Sequence, residues 1–233
     1  MNFVFQPQSP ASVAIADSAD RFPVRRIFCV GRNYAAHARE MGGNPEREPP
    51  FFFTKPADAV CDSGTAIAYP PLTTDLHHEV ELVVAIGAEG VAVSAEAATA
   101  LIWGYGVGID LTRRDLQAKA KAAGRPWDWA KGFDASAPCG PLRPAQREAS
   151  SARTALSSGR IALTVNGETR QQADLADLIW SVPEIIAQCS AAVVLRPGDL
   201  IFTGTPDGVG ALQAGDHVTA SIDTLPDLQI SIA

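Results

Sequence analysis

A β-rich α+β protein, with a rolled or barrel-like mixed sheet and peripheral helices, is what the patterning of this chain specifies. Three observations point there. Short apolar or alternating runs recur through most of the 233 residues and end at Gly or Pro. Helix-like stretches are few and brief. The last third is mostly alternating, as half-buried strands are. Hydrophobic residues at 46% and charged residues at 19% suit a globular chain with a sizeable core. The net charge of −7, without a basic run, argues against a nucleic-acid partner. Cys29, Cys61, Cys139 and Cys189 lie far apart, which speaks against a zinc site or a disulfide framework and for a reducing compartment. The N-terminus lacks a basic and then apolar leader, and no run is long and apolar enough for a membrane. The expectation is a cytoplasmic protein with no membrane contact.

Residues 1–25 are mixed and Pro-containing, and are expected to add a strand or two to a main body formed by 26–233. Arg26 to Gly31 reads as a buried strand with a Gly stop. Arg32 to Met41 reads as a short helix ending at Gly42-Gly43, with His37 and Glu40 three apart on one face. Phe51 to Lys55 is an apolar strand closed by Pro56, and 57–75 is loop-like. Leu82 to Gly87 is a β-branched, apolar strand. A helix is expected from Ser94, its N-cap, to Leu101. Trp103 to Asp110 is a strand with three alternating Gly, a sign of close approach by another backbone or a ligand. Thr112 to Asp115 has the form of a capping box, opening a helix from Leu116 to Ala123. Residues 126–134 are an aromatic-rich connection holding Lys131. Trp127 and Trp129 are expected in core or interface packing. Residues 143–159 read as an exposed loop. Asn166-Gly167 marks a hairpin between 161–165 and 169–171. Ser181 to Glu184 is a second capping box, opening a helix to about Ala192. Leu200 to Thr203 is a strand, 204–210 a Gly-rich loop, and 217–222 a last alternating strand.

Chemistry concentrates before the 82–87 strand. Glu79 and Glu81 share a face, because strand side chains alternate. Two neighbouring carboxylates repel and resist burial unless a divalent cation lies between them. Such a pair favours hard, oxygen-loving ions. An exposed strand end with both acids in water is the equal alternative at this point. His77 shares their parity; His78 faces the other way.

The strings Val30-Gly31-Arg32-Asn33-Tyr34, His77-His78-Glu79-Val80-Glu81-Leu82, Gly108 to Gln117 and Thr203-Gly204-Thr205-Pro206 resemble the fumarylacetoacetate hydrolase family. The resemblance runs in order over residues 26–222, and the Arg32–Glu40 segment looks most like the acylpyruvase and fumarylpyruvate hydrolase branch. It implies that family's rolled mixed sheet and a homodimer. It implies one Mg²⁺ or Mn²⁺ on Glu79, Glu81 and Asp110, with His77 structural rather than a ligand. It implies a His37–Glu40 dyad that takes a proton from water, and Lys131 as positive charge near the developing oxyanion. Gln117, seven residues after Asp110, and Thr205 would bind substrate. Apart from the resemblance, Arg32 and Lys55 could serve the far carboxylate of a dicarboxylate substrate, with an ordinary ion pair as the equal alternative for each.

The implied reaction is cleavage of an acylpyruvate, a 2,4-dioxo acid, into pyruvate and a carboxylic acid. The metal would stabilise the departing enolate. Fumarylpyruvate, from the gentisate branch of aromatic-ring breakdown, is the leading substrate. Oxaloacetate decarboxylation and isomerisation or decarboxylation of a hydroxymuconate-type diacid are the competing enzyme readings. A noncatalytic oxo-acid binding protein is the competing reading of another class. The intact set of acids with His37, Glu40 and Lys131 argues against it.

Overall fold

The computed structural model describes residues 2–35, 48–145 and 155–233. A six-stranded mixed sheet forms the centre. Its order is Arg143–Pro144, Ile102–Ile109, Val80–Ile86, Asp199–Phe202, Arg26–Gly31 and Phe51–Lys55. All its pairs are antiparallel except Asp199–Phe202 with Arg26–Gly31. A five-stranded sheet runs Glu168–Asp174, Arg160–Val165, His217–Ile222, Leu228–Ile232 and Thr65–Ile67. A small antiparallel sheet joins Thr112–Arg113, Leu76–His78 and Gly210–Leu212.

The strand Val80–Ile86 is buried along its whole length. Leu82, Val84 and Ile86 enter the larger core, shared with Leu163, Val218 and Ile230 of the five-stranded sheet. Val83 and Ala85 enter a second core with Ile27, Cys29, Leu200 and Phe202. Burial on both faces explains why the sequence there is an unbroken apolar run rather than an alternation. Val13 and Phe22, from the N-terminal pair Ser12–Ala14 and Arg21–Pro23, close the second core.

The class is as the sequence implied: β-rich α+β, with mixed sheets and short peripheral helices. Among the described residues the sheets do not close into a barrel. The glycines of Ile102–Ile109 do mark close approach. A Cβ on Gly104 would lie 2.3 Å from the Arg143 carbonyl, and one on Gly108 would strike Phe202 and Val83. The Ser181 capping box and the Asn166-Gly167 hairpin form as expected.

Several expectations need correction. Residues 57–75 carry the short strands Val60–Cys61 and Thr65–Ile67. The strand Leu228–Ile232 was not expected. Arg143–Pro144 is an edge strand; 146–154 lie outside the described residues. The helix Arg114–Ala122 starts two residues early, and the Thr112 hydroxyl does not cap it. That hydroxyl accepts from Lys131 Nζ at 2.6 Å instead. Of the helix expected over 32–41, residues 36–41 lie outside the described residues. Arg32, at φ 58°, Asn33 and Tyr34 are not helical; Tyr34 bridges to Leu178. No helix among the described residues is long and apolar enough to cross a membrane. All four cysteines are free thiols.

Candidate active site

Register builds the acid cluster. Val80 pairs with Ile109 and Glu81 with Gly108, so the start of one strand meets the end of its neighbour. The Asp110 N–H donates to the Glu79 carbonyl at 2.8 Å, which fixes the third acid beside the first. Glu79, Glu81 and Asp110 are all buried, and one ligand oxygen from each lies within 4.8 Å of the others. The alternative of two acids facing water is thereby excluded.

Three cations face the three acids. Lys131 Nζ lies 2.8 Å from Glu79 Oε2 and 2.7 Å from Asp110 Oδ2. Arg114 Nη2 pairs with Glu79 Oε1. Lys55 Nζ, fully buried, lies 2.8 Å from Asp110 Oδ1. Among the described residues, Asp110 Oδ1 has that ion pair and no hydrogen bond. Glu81 Oε2 accepts a hydrogen bond from the Gly204 N–H at 2.7 Å. Burial first, and then the charges of Asp110 and Glu79, push the Glu81 carboxyl well above the usual carboxylate range. For Lys131, burial alone would lower the ammonium, but Asp110 and Glu79 outweigh it and the net shift is up.

These observations fit a divalent ion. An acid whose ionisation is opposed by burial and by its like-charged neighbours, and a buried oxygen without a hydrogen bond, are both relieved by a hard cation on three oxygen donors. The cluster could therefore hold a metal such as Mg²⁺ or Mn²⁺.

A pocket opens above the cluster. Its lining includes Glu79, Glu81, Asp110, Lys131, Arg114, Gln117, Thr205, Arg32 and Lys121, with Phe51, Phe53 and Trp127 as an aromatic wall. Trp127 meets Phe51 and Phe53 edge-on, at ring-centre distances of 5.5 and 5.9 Å. It is thus a wall of the site rather than core packing, while Trp129 is 76% exposed. Gln117 gives its Oε1 to Arg114, so its amide nitrogen is the group left for a ligand. Thr205 Oγ1 accepts from Gln171 Nε2 at 2.8 Å, so its own O–H is left to donate. The Arg32 guanidinium lies 5.8 Å from the Phe51 ring centre.

Seven of the expected site residues thus line one pocket: Glu79, Glu81, Asp110, Lys131, Gln117, Thr205 and Arg32. His37 and Glu40 lie outside the described residues. Lys55 is not available for a far carboxylate, because it sits behind Asp110. His77 bonds to Asp75 at 2.9 Å and takes no part in the acid cluster. Buried His78 bonds to Gln171. Arg114 and Gln171 were not expected as site residues. Arg114 could have been suspected, since it stands one helical turn before Gln117.

Residues 26–233 match the family model described as fumarylacetoacetate (FAA) hydrolase C-terminal. A fumarylpyruvate hydrolase of Ralstonia sp is 44% identical over 185 residues, 79% of this chain and 93% of that one. The oxaloacetate tautomerase YcgM of Escherichia coli (strain K12) is also 44% identical, over 87% of this chain and 90% of its own. The crystal structure of fumarylpyruvate hydrolase from Pseudomonas aeruginosa in complex with Mn²⁺ and pyruvate superposes with a TM-score of 0.94. It is 50% identical and covers 100% of this chain and 99% of its own.

Proposed function

The chain belongs to the fumarylacetoacetate hydrolase family, and from that premise we propose that it hydrolyses an acylpyruvate, foremost fumarylpyruvate, to pyruvate and a carboxylic acid such as fumarate. The observation that carries this is the donor set gathered in one pocket. Glu79, Glu81 and Asp110 offer three clustered oxygen ligands to a divalent ion, and Lys131, Arg114, Arg32, Gln117 and Thr205 line the same pocket with cationic and hydrogen-bond donors. A ligand offering a carboxylate and an adjacent enolate oxygen matches both halves of that set.

Glu79, Glu81 and Asp110 would hold Mg²⁺ or Mn²⁺; the Mn²⁺ and pyruvate of the Pseudomonas aeruginosa relative support this. Once bound, the ion supplies Lewis acidity toward an oxo acid. The chain's own groups do the rest. His37, oriented by Glu40, takes a proton from water. The resulting hydroxide adds to the C4 carbonyl. The C3–C4 bond then breaks, its electron pair leaves with the pyruvate enolate, and C3 takes up the proton that was removed from water. Lys131 places a charged ammonium beside the developing oxyanion. Gln117 and Thr205 donate to the substrate oxygens.

The aromatic wall of Phe51, Phe53 and Trp127 favours a planar, unsaturated acyl chain, with Arg32 for a terminal carboxylate. Oxaloacetate would leave that wall uncovered. It remains the second reading, since the Escherichia coli oxaloacetate tautomerase is as identical to this chain as the Ralstonia enzyme is. Moving a proton within oxaloacetate, or decarboxylating it, needs the same enolate stabilisation but no attacking water. The active form is a cytoplasmic homodimer, with a solution mass twice the 24.5 kDa of the chain.

The test is a panel of fumarylpyruvate, acetylpyruvate and oxaloacetate with Mn²⁺-loaded protein, followed by product analysis. Fumarate and pyruvate should form from the first substrate fastest. His37→Ala should slow that hydrolysis by about 10²–10⁴-fold with Mn²⁺ binding intact. Turnover of oxaloacetate alone, unchanged in His37→Ala, would replace hydrolysis by the second reading.

A further inference from the structure

Gln171 is the one fully buried residue of an otherwise accessible strand, Glu168–Asp174. The strand slips register beside it: Leu163 pairs with Gln171 but Thr164 pairs with Thr169, leaving Arg170 as an extra residue. Such a bulge re-aims the side chains next to it, and here it turns Gln171 inward. The Gly-rich loop closes on the same point. A Cβ on Gly208 would lie 2.2 Å from the Arg170 carbonyl, so only glycine permits the contact.

The amide then makes four bonds. Its Oε1 accepts from the Val80 N–H at 3.1 Å and from His78 Nδ1 at 3.0 Å. Its Nε2 donates to Thr205 Oγ1 at 2.8 Å and to the Pro206 carbonyl at 2.9 Å. The amide's orientation is not a free choice. A backbone N–H only donates and a proline carbonyl only accepts, so the oxygen must face Val80 and the nitrogen must face Pro206 and Thr205. One of the Thr205 lone pairs is therefore occupied by Gln171, and the hydroxyl hydrogen is left to point elsewhere. Thr205 is itself buried and lines the pocket over the acid cluster.

We propose that Gln171 is a positioning residue for the substrate carboxylate. It ties the backbone between Glu79 and Glu81 to the 204–206 loop and holds the Thr205 hydroxyl as a donor into the pocket. Gln171 touches no substrate; it acts through Thr205. The inference deepens the oxo-acid reading above and rests on it.

The test uses the full-length protein loaded with Mn²⁺ and titrated calorimetrically with oxalate, a nonreacting carboxylate pair. Gln171→Glu offers Thr205 an acceptor in place of a donor, and Gln171→Met offers nothing. Each should weaken oxalate binding about tenfold, with the Mn²⁺ affinity of the metal-free protein unchanged. In a Thr205→Val background the same Gln171 substitutions should add no further loss, because the group they act through is gone. Unchanged oxalate affinity would overturn the inference, as would an equal further loss in the Thr205→Val background. Loss of folding or of Mn²⁺ binding in both Gln171 variants would overturn it too, by making the residue a support of the acid cluster alone. If the unsubstituted protein binds Mn²⁺ but not oxalate, the oxo-acid reading itself falls, and this inference with it.

Discussion

Lys131 sits in the core, 2% exposed, and touches two acids and a threonine hydroxyl. Its folded pKa is raised above 10.5 by Asp110 and Glu79, against the opposing effect of burial. A group with a raised folded pKa contributes stability that is fully present below its unfolded value. That stability is lost as pH rises through the folded value. Lys131→Met should therefore destabilise the metal-free protein by roughly 3–5 kcal/mol at neutral pH, the cost of leaving buried acids short of a partner. The gap to the unsubstituted protein should narrow as pH climbs above 10.5, and thermal unfolding across that range measures both effects. Mn²⁺ should restore part of the loss. The sequence showed Lys131 only as a lone lysine in an aromatic stretch, and its role came from resemblance. Lys55, Arg114 and Gln171 show why more could not be read. Their partners are Asp110, Glu79 and Thr205, at separations of 55, 35 and 34 residues, and no local pattern encodes such pairs.

Elements were legible where their signals are local. The Ser181 box caps its helix because Ser and Glu three apart satisfy each other's orphan groups. The Thr112 box has the same spacing and does not form: Thr112 is paired in a strand with His77, Arg113 takes the N-cap position, and Asp115 accepts from the Thr73 hydroxyl and the Leu116 N–H. Strand pairing thus overrides a local capping pattern. The 57–75 stretch hid two strands that are only two and three residues long and take their pairing from distant partners. The Gly-rich loop makes the sharpest test at this level. Gly64 and Gly208 both have positive φ, of 90° and 85°. A Cβ on Gly64 meets nothing within 4 Å, whereas one on Gly208 strikes the Arg170 carbonyl. Gly64→Ala should cost about 1–2 kcal/mol from its backbone conformation alone. Gly208→Ala should cost that and roughly 1–3 kcal/mol more from the clash, measured by denaturant unfolding. Equal costs would mean that the loop does not pack on the bulge.

At the scale of the whole molecule, two cores on opposite faces of one sheet hold the acid-bearing strands rigid. The unbroken apolar run after Glu81 foretold that burial, and the rolled mixed sheets are as expected, without closing into a barrel among the described residues. Rigidity matters because three acids kept this close repel one another, and Lys55, Lys131 and Arg114 pair only with Asp110 and Glu79 among the described residues. The proposed chemistry therefore depends on one event, capture of a single divalent ion by Glu79, Glu81 and Asp110. It is tested most directly by calorimetric titration of metal-free protein with Mn²⁺, alongside fumarylpyruvate turnover at each point. One ion should bind per chain, turnover should rise in proportion to bound ion, and Glu81→Gln should abolish both. Full turnover in metal-free protein, or Mn²⁺ binding by Glu81→Gln equal to that of the unsubstituted chain, would contradict it.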